Sequence, residues 1–142
     1  NMAEYTPNGL LIKQLHDRLE KYANNDLRSR DLTMMQVSVL QVLKLAEGQK
    51  MTMKELEHYF QIAQSTVVGI VSRLEKKELV EAFGDSSDKR IKVVHITPSG
   101  EACCKEASAH MEAVEEHLLS GLSQEEKNTL NNLLTKLLNN IS

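Results

Sequence analysis

The apolar residues fall into runs of helical spacing separated by polar breaks, with one short interval where the period changes. Leu11, Leu15, Leu19 and Tyr22 recur every three or four positions, with Lys13, Asp17, Arg18, Glu20 and Lys21 between them, which predicts a first amphipathic helix. The polar stretch from Asn24 to Asp31 predicts its end. Thr33 with Gln36 then has the spacing of a capping box and opens a second helix through Val37, Leu40 and Leu43 to a stop at Gly48. Thr52 with Glu55 repeats the device ahead of Leu56 and Phe60. After the short break from Gln61 to Ala63, Val67, Ile70, Val71 and Leu74 restore helical spacing. Two short helices joined by a tight turn are the outline of a helix-turn-helix.

Beyond Lys77 the period shortens. Leu79 to Phe83 predicts a strand, Gly84 to Lys89 a turn, and the β-branched run from Ile91 to Ile96 a second strand, so that together they form a hairpin. Thr97 before Pro98 supplies an N-cap and a first-turn proline for a long helix with the stripe Cys103, Ala107, Met111, Val114 and Leu118, closed by Gly121. Ser123 with Glu126 caps a last helix striped by Leu130, Leu134, Leu137 and Ile141 and widened by Leu133 and Leu138. The fold class expected is mainly α with a small β-hairpin, a winged helix-turn-helix. The first helix and the last two carry apolar stripes that the central module need not cover. Packing within a monomer would use them, and so would a helical dimer interface built from both chain ends; the second is the reading adopted.

Composition narrows the class. A chain of 142 residues with 41% hydrophobic and 26% charged residues is sized for one globular domain. No stretch approaches the roughly 18 uninterrupted apolar residues of a membrane span, nor does the N-terminal region read as a secretory signal. Asn1 ahead of Met2 reads as an added residue, and the expected location is cytoplasmic. The net charge of −3 is uneven: Lys/Arg against Asp/Glu run seven to six over 1–51, seven to seven over 52–97 and three to seven over 98–142. Acid is concentrated in the last third, away from the helix-turn-helix.

With Val67, Val71 and Leu74 inward, the opposite face of that helix, at about 100° per residue, carries Ser65, Val68, Gly69, Ser72, Arg73 and Lys76. Helices enter the major groove with their N-terminal residues nearest the bases, so Ser65, Val68, Gly69 and Ser72 would face base edges while Arg73 and Lys76 would lie near phosphate. A plain solvated face is the alternative, against which stand an outward Val68 and a helical glycine costing roughly 1 kcal/mol. At the hairpin tip, Asp88-Lys89-Arg90 followed by Lys92 places a guanidinium on a projecting loop, suited to a narrow and strongly negative minor groove. Asp88 would orient that arginine.

The chain resembles the MarR (multiple antibiotic resistance regulator) family over nearly its whole length. The resemblance rests on Leu32-Thr33 with Gln36 and Val39-Leu40, on Ser65-Thr66-Val67 with Arg73 to Lys77, and most specifically on Asp88-Lys89-Arg90 through Ile96-Thr97 to Gly100. It implies one domain over 1–142, with 32–97 as the DNA-binding region and 8–31 with 98–142 as the helical dimerisation region. It further implies a homodimer on a pseudo-palindromic operator in double-stranded DNA, usually repressing, often released by a small-molecule effector or an oxidant. By matching position, Arg90 is similar to the family's minor-groove arginine and Asp88 to its supporting acid; Thr66 joins the DNA-binding set with Lys89. The chain departs from the family pattern at Ala63, where a capping Asp or Ser is common, at Glu78, where a glycine usually ends the helix, and at Ala82, where an arginine is common.

The two cysteines, Cys103 and Cys104, are adjacent, which suits neither a disulfide framework nor a zinc site. Cys103 lies on the predicted stripe as a structural thiol, and a redox role for Cys103 or Cys104 is a minor alternative, either intermolecular or through a sulfenate. Glu106, His110 and His117 share a helix face and read as surface hydrogen-bonding groups more readily than as metal ligands. No cofactor is expected. Neither a phosphate-binding glycine loop nor a nucleophile elbow is present, so no enzyme activity is expected. The competing reading is a winged-helix protein-interaction module with weakened DNA binding.

Overall fold

The computed structural model describes residues 5–141, with the backbone alone at Asp26; Asn1 and Met2 lie outside the described residues. Helix α1 (Asn8–Leu27) leads through a single 3-10 turn (Arg28–Arg30) into α2 (Met34–Leu45). It runs past the predicted break at Asn24 because the stripe continues through Ala23 and Leu27, both fully buried. Asp31, left-handed at φ 55°, makes the corner. The predicted box at Thr33 forms in both directions, Gln36 N donating to Thr33 Oγ1 at 3.2 Å and Thr33 N to Gln36 Oε1 at 3.3 Å. Gly48, at φ 68°, turns the chain after α2.

A three-residue strand follows that the sequence pattern did not reveal, β1 (Lys50–Thr52). It pairs antiparallel with a later strand, Lys92–Ile96, Lys50 opposite His95 and Thr52 opposite Val93. Thr52 then caps α3 (Met53–Phe60), and Gln61 takes a left-handed turn into α4 (Gln64–Lys76). The hairpin is β2 (Val80–Gly84) and β3 (Lys92–Ile96), giving the sheet order β1-β3-β2. Its register sets Val80, Ala82, Val94 and Ile96 on the core face and Glu81, Phe83 and His95 on the other.

Thr97 caps α5 (Pro98–Leu118), its hydroxyl oxygen accepting from Gly100 N at 3.0 Å. Gly100 has no room for a side chain: a Cβ there would lie 2.1 Å from the Leu79 carbonyl oxygen and 2.8 Å from Ile96. Gly121, at φ 88°, turns the chain into α6 (Gln124–Asn140), whose Ser123–Glu126 box is also formed.

The core lies between α2, α4, α5 and the sheet, built on Leu40, Leu43, Leu56, Leu74, Val71 and Val94. On α5 the stripe is rotated from the prediction. Cys104, not Cys103, is the buried thiol, at 1% exposure with Ala107 and Val114, while Cys103 and Met111 are only partly buried. Adjacent helical residues differ by about 100°, and with apolar residues on both sides of the stripe the periodicity could not separate the two cysteines.

The terminal helices are unfinished surfaces. No described residue of α6 is buried, and Leu133, Leu134, Leu137, Leu138 and Ile141 stand 43–87% exposed. Leu10, Leu11, Ile12, Leu15 and Tyr22 of α1 are 43–54% exposed. Together they leave two long apolar stripes exposed on the single chain.

Candidate nucleic-acid interface

Helix α4 is fixed from beneath and bare above. Val67, Ile70, Val71 and Leu74 are buried, as the spacing predicts, while Ser65, Thr66, Val68, Ser72, Arg73 and Lys76 are exposed and Gly69 is half-buried. Gly69 has a local use: a Cβ there would lie 3.3 Å from an Arg73 guanidinium nitrogen, so Arg73 lies back along the helix over the space the glycine leaves.

The two ends of α4 are held differently. Its first residue is preceded by Ala63 in extended backbone, with no side chain to cap the first turn. At the other end Glu78 is left-handed, at φ 62°, the conformation a glycine would adopt at no steric cost. Leu79 N donates to Leu74 O at 3.0 Å and Glu78 N to Glu75 O at 2.9 Å, a closed C-terminal turn made without glycine. The Thr97 hydroxyl donates to Glu78 O at 2.7 Å, supporting that backbone from the start of α5.

Two polar ties orient α4 in the molecule. Glu75 accepts from Ala82 N at 3.2 Å, joining the helix to β2. Lys77 donates to Gln36 Oε1 at 3.1 Å and to the Asp31 carbonyl, and pairs with the Asp31 carboxylate at 3.7 Å. The end of α4 is thereby tied to the joint between α1 and α2. In the sequence Lys77 figures only as the end of the Arg73–Lys77 segment that carries the family resemblance. Its partners lie more than forty residues away, and no local signal could have assigned them.

The hairpin tip presents one guanidinium in a fixed frame. Arg90 Nε donates to Asp88 Oδ1 and its terminal nitrogen to Asp88 Oδ2, both at 3.0 Å, and Arg90 N donates to Oδ1 at 3.0 Å. The Arg90 side chain is nonetheless 91% exposed, against 32% for Asp88. A bidentate pair fixes the plane and direction of the fork while its outer edge stays open. The guanidinium holds the Asp88 carboxyl below the ordinary carboxylate range, with help from the Arg90 amide. Behind the tip, Asp85 Oδ2 accepts from Ser87 N at 3.0 Å and from the Ser87 hydroxyl, and these bonds hold its carboxyl low as well. Asp85 N donates to Ile91 O at 2.8 Å and closes the loop. Lys89 and Lys92 are exposed beside it. The Asp85 loop anchor was not singled out from the sequence, although an Asp two residues before a Ser is a recognisable Asx-turn signal.

The residues read as surface groups on α5 have partners. Glu106 pairs with Arg30 at 3.1 Å, His110 Nε2 lies 3.3 Å from Ala23 O, and His117 stacks on Tyr22 with ring centroids 4.9 Å apart. These contacts bind α5 to α1 and to the 3-10 turn that follows it. Among the described residues, no three His, Cys, Asp or Glu side chains come together as a metal site. Nor is any described helix long and apolar enough to cross a membrane. Burial raises the Cys103 thiol pKa above its ordinary value, with Cys104 and Glu106 adding to it.

Comparison with known proteins agrees with this architecture. The model of the MarR family matches residues 30–91. An uncharacterized HTH-type transcriptional regulator of Bacillus subtilis, YwoH, is 32% identical over 127 residues, covering 89% of this chain and 90% of its own. In the crystal structure of the S. aureus MepR–DNA complex, the MepR chain superposes with a TM-score of 0.90 at 25% identity, covering 96% of this chain and 100% of MepR. A mutant MarR from E. coli complexed with operator DNA gives 0.84 at 28% identity, over 95% and 96% of the two chains. With its helix-turn-helix, its hairpin and its near-complete overlap with these proteins, the chain belongs to the MarR family of DNA-binding transcriptional regulators.

Proposed function

We propose that this protein represses transcription as a homodimer on a pseudo-palindromic operator, and that the DNA-binding set is Ser65, Thr66, Val68, Gly69, Ser72, Arg73 and Lys76 on α4 with Lys89 and Arg90 on the wing, Arg90 being oriented by Asp88. The observation that carries this is the Arg90 fork, 91% exposed yet bound on its inner edge by Asp88. An arginine pre-aligned in this way loses little side-chain entropy on meeting a minor groove, and its open edge is left for the nucleic acid. Asp88 positions and does not touch DNA. The α4 face supports major-groove readout by small residues: Val68 against a thymine methyl, Ser65 and Ser72 with either donors or acceptors.

The chain acts as one domain, with 32–97 reading DNA and 8–31 and 98–142 forming the dimer. The exposed stripes of α1 and α6 support this assignment. Two recognition helices would then sit roughly 34 Å apart, one turn of the duplex. The protein works in the cytoplasm, catalyses no reaction and answers to a small-molecule effector.

The test is salt-dependent binding to the duplex upstream of its own gene. Each phosphate contact contributes about −0.9 to the slope of log K against log salt, so Arg90→Ala, losing one cation per subunit, should flatten the slope of the dimer by about 2 and weaken binding most at low salt. Absence of salt-dependent binding to any duplex by the wild type would favour a protein-interaction module instead.

A further inference from the structure

An open groove of about 790 Å³ lies between the end of α2, β1, α3 and the root of the wing, away from the bare face of α4. That volume is in the range of small-molecule sites, roughly 300–1,000 Å³. Its apolar surface includes Leu45, 86% exposed, and Tyr59, 62% exposed, over a base at Val93. Its charged groups are Glu47, Glu55 and Asp85 against Lys50, three carboxylates to one ammonium. Glu55 uses one oxygen for the Thr52 amide, the Ser87 bonds hold the Asp85 carboxyl low, and the Glu47 carboxylate makes no hydrogen bond or ion pair among the described residues. Apolar and aromatic walls with an excess of fixed negative charge suit an organic cation: the body covers Leu45, and the charge sits near Tyr59 and the carboxylates.

One wall of the groove is also the anchor of the wing. Asp85 lines the groove, its carboxylate accepts from Ser87, three residues from Arg90, and its amide closes the loop on Ile91 O. A cation that draws on Asp85 competes with the bonds that shape the loop ahead of the Asp88–Arg90 fork. We propose that this groove binds a small organic cation with an apolar body and that Asp85 transmits its occupancy to the wing. The transmission half rests on the reading of Arg90 as a DNA contact; the binding half does not.

Tetraphenylphosphonium and tetraphenylborate share one shape with opposite charge and are the probes. In calorimetry on the full chain without DNA, the cation should bind and the borate should bind at least about tenfold more weakly, as expected for two net charges acting across a wetted groove. Glu47→Gln and Tyr59→Ala should each weaken the cation about threefold. Equal binding of the two ions, no binding of the cation, or unchanged affinity in both variants overturns the site. By fluorescence polarisation, the cation should weaken duplex binding by wild type severalfold, and the cation concentration giving half of that effect should rise about threefold in Tyr59→Ala, whose groove is impaired and whose DNA face is intact. The same half-effect concentration in the two proteins means that the cation acts on the DNA itself and overturns the transmission. If wild type binds no duplex at all, the repressor reading fails with the transmission, while the calorimetry still decides the site.

Discussion

Ala63→Ser should stabilise the protein, and the structure sets the size of the gain. Of helices α2 to α6, α4 alone begins without a side-chain cap. The other four each have a hydroxyl accepting from the amide three residues on, at 3.0–3.2 Å. Ala63 already has the backbone those caps use: φ −66° and ψ 149°, against −73° and 159° at Thr52 and −70° and 165° at Ser123. The Thr66 amide now donates to the Ala63 carbonyl at 3.0 Å, and a serine hydroxyl there would share or replace that bond, so the usual cap gain is the upper limit. The Ala-to-cap difference is typically about 1 kcal/mol. Ala63 is exposed, so the substitution neither overfills the core nor opens a cavity. For a chain of this length the gain corresponds to a rise in Tm of about 2–4 °C. Urea unfolding at one fixed protein concentration is the assay, because dimerisation makes apparent stability concentration-dependent. A higher midpoint with unchanged m identifies a folded-state gain. Ala63→Val, with no acceptor, should give none. Equal midpoints for the serine variant and wild type would show that the first turn of α4 is satisfied in another way, and the reasoning would fail. Ala63→Asp, the other cap common at this position in the family, should stabilise similarly.

Four other outcomes follow. Gly100→Ala drives a methyl against the Leu79 carbonyl, where Thr97 N also bonds at 3.1 Å, and should cost about 3 kcal/mol or more in urea unfolding; a loss under 1 kcal/mol would contradict the geometry. Asp88 has a depressed folded pKa, so the order it gives the wing is complete above its unfolded pKa and is lost as pH falls through the folded value. An NMR titration should place its midpoint below the ordinary aspartate value in wild type and nearer to it in Arg90→Ala, and identical midpoints would break the pairing argument. Peroxide should leave duplex binding unchanged, since Cys104 is buried and burial raises the Cys103 pKa, which keeps thiolate scarce; a loss reversed by dithiothreitol would revive the redox alternative. Leu134→Asp with Leu138→Asp should shift the chain towards monomer in sedimentation while helix content is largely kept, because neither side chain is buried in the single chain, and an unchanged dimer would move the interface elsewhere.

Local rules account for what was legible. A cap needs only the four residues that make it, so the boxes at Thr33, Thr52 and Ser123 were read from spacing and found with both bonds formed. The buried face of α4 followed from the helical period, since one side of a rod must meet the core. The Asp88–Arg90 fork spans two residues and was equally readable.

Other features are set between distant segments. Strand β1 is three residues long and exists because β3, some forty residues later, offers it a ladder; alone it has too few residues to show alternation. The rotation that buries Cys104 in place of Cys103 depends on which side of α5 meets α2, and two neighbouring apolar residues leave that choice to packing. The same holds for Ala23 and Leu27, whose burial carries α1 through a polar run, and for Lys77, whose partners belong to the joint before α2. By itself the sequence determined the helices, their starts, the hairpin and its charged tip, because each is decided within a few residues by hydrogen bonds and periodicity. Only the tertiary structure decided register, the exact buried edge of each helix and the groove beneath the wing, because those arise where surfaces far apart in the chain come into contact.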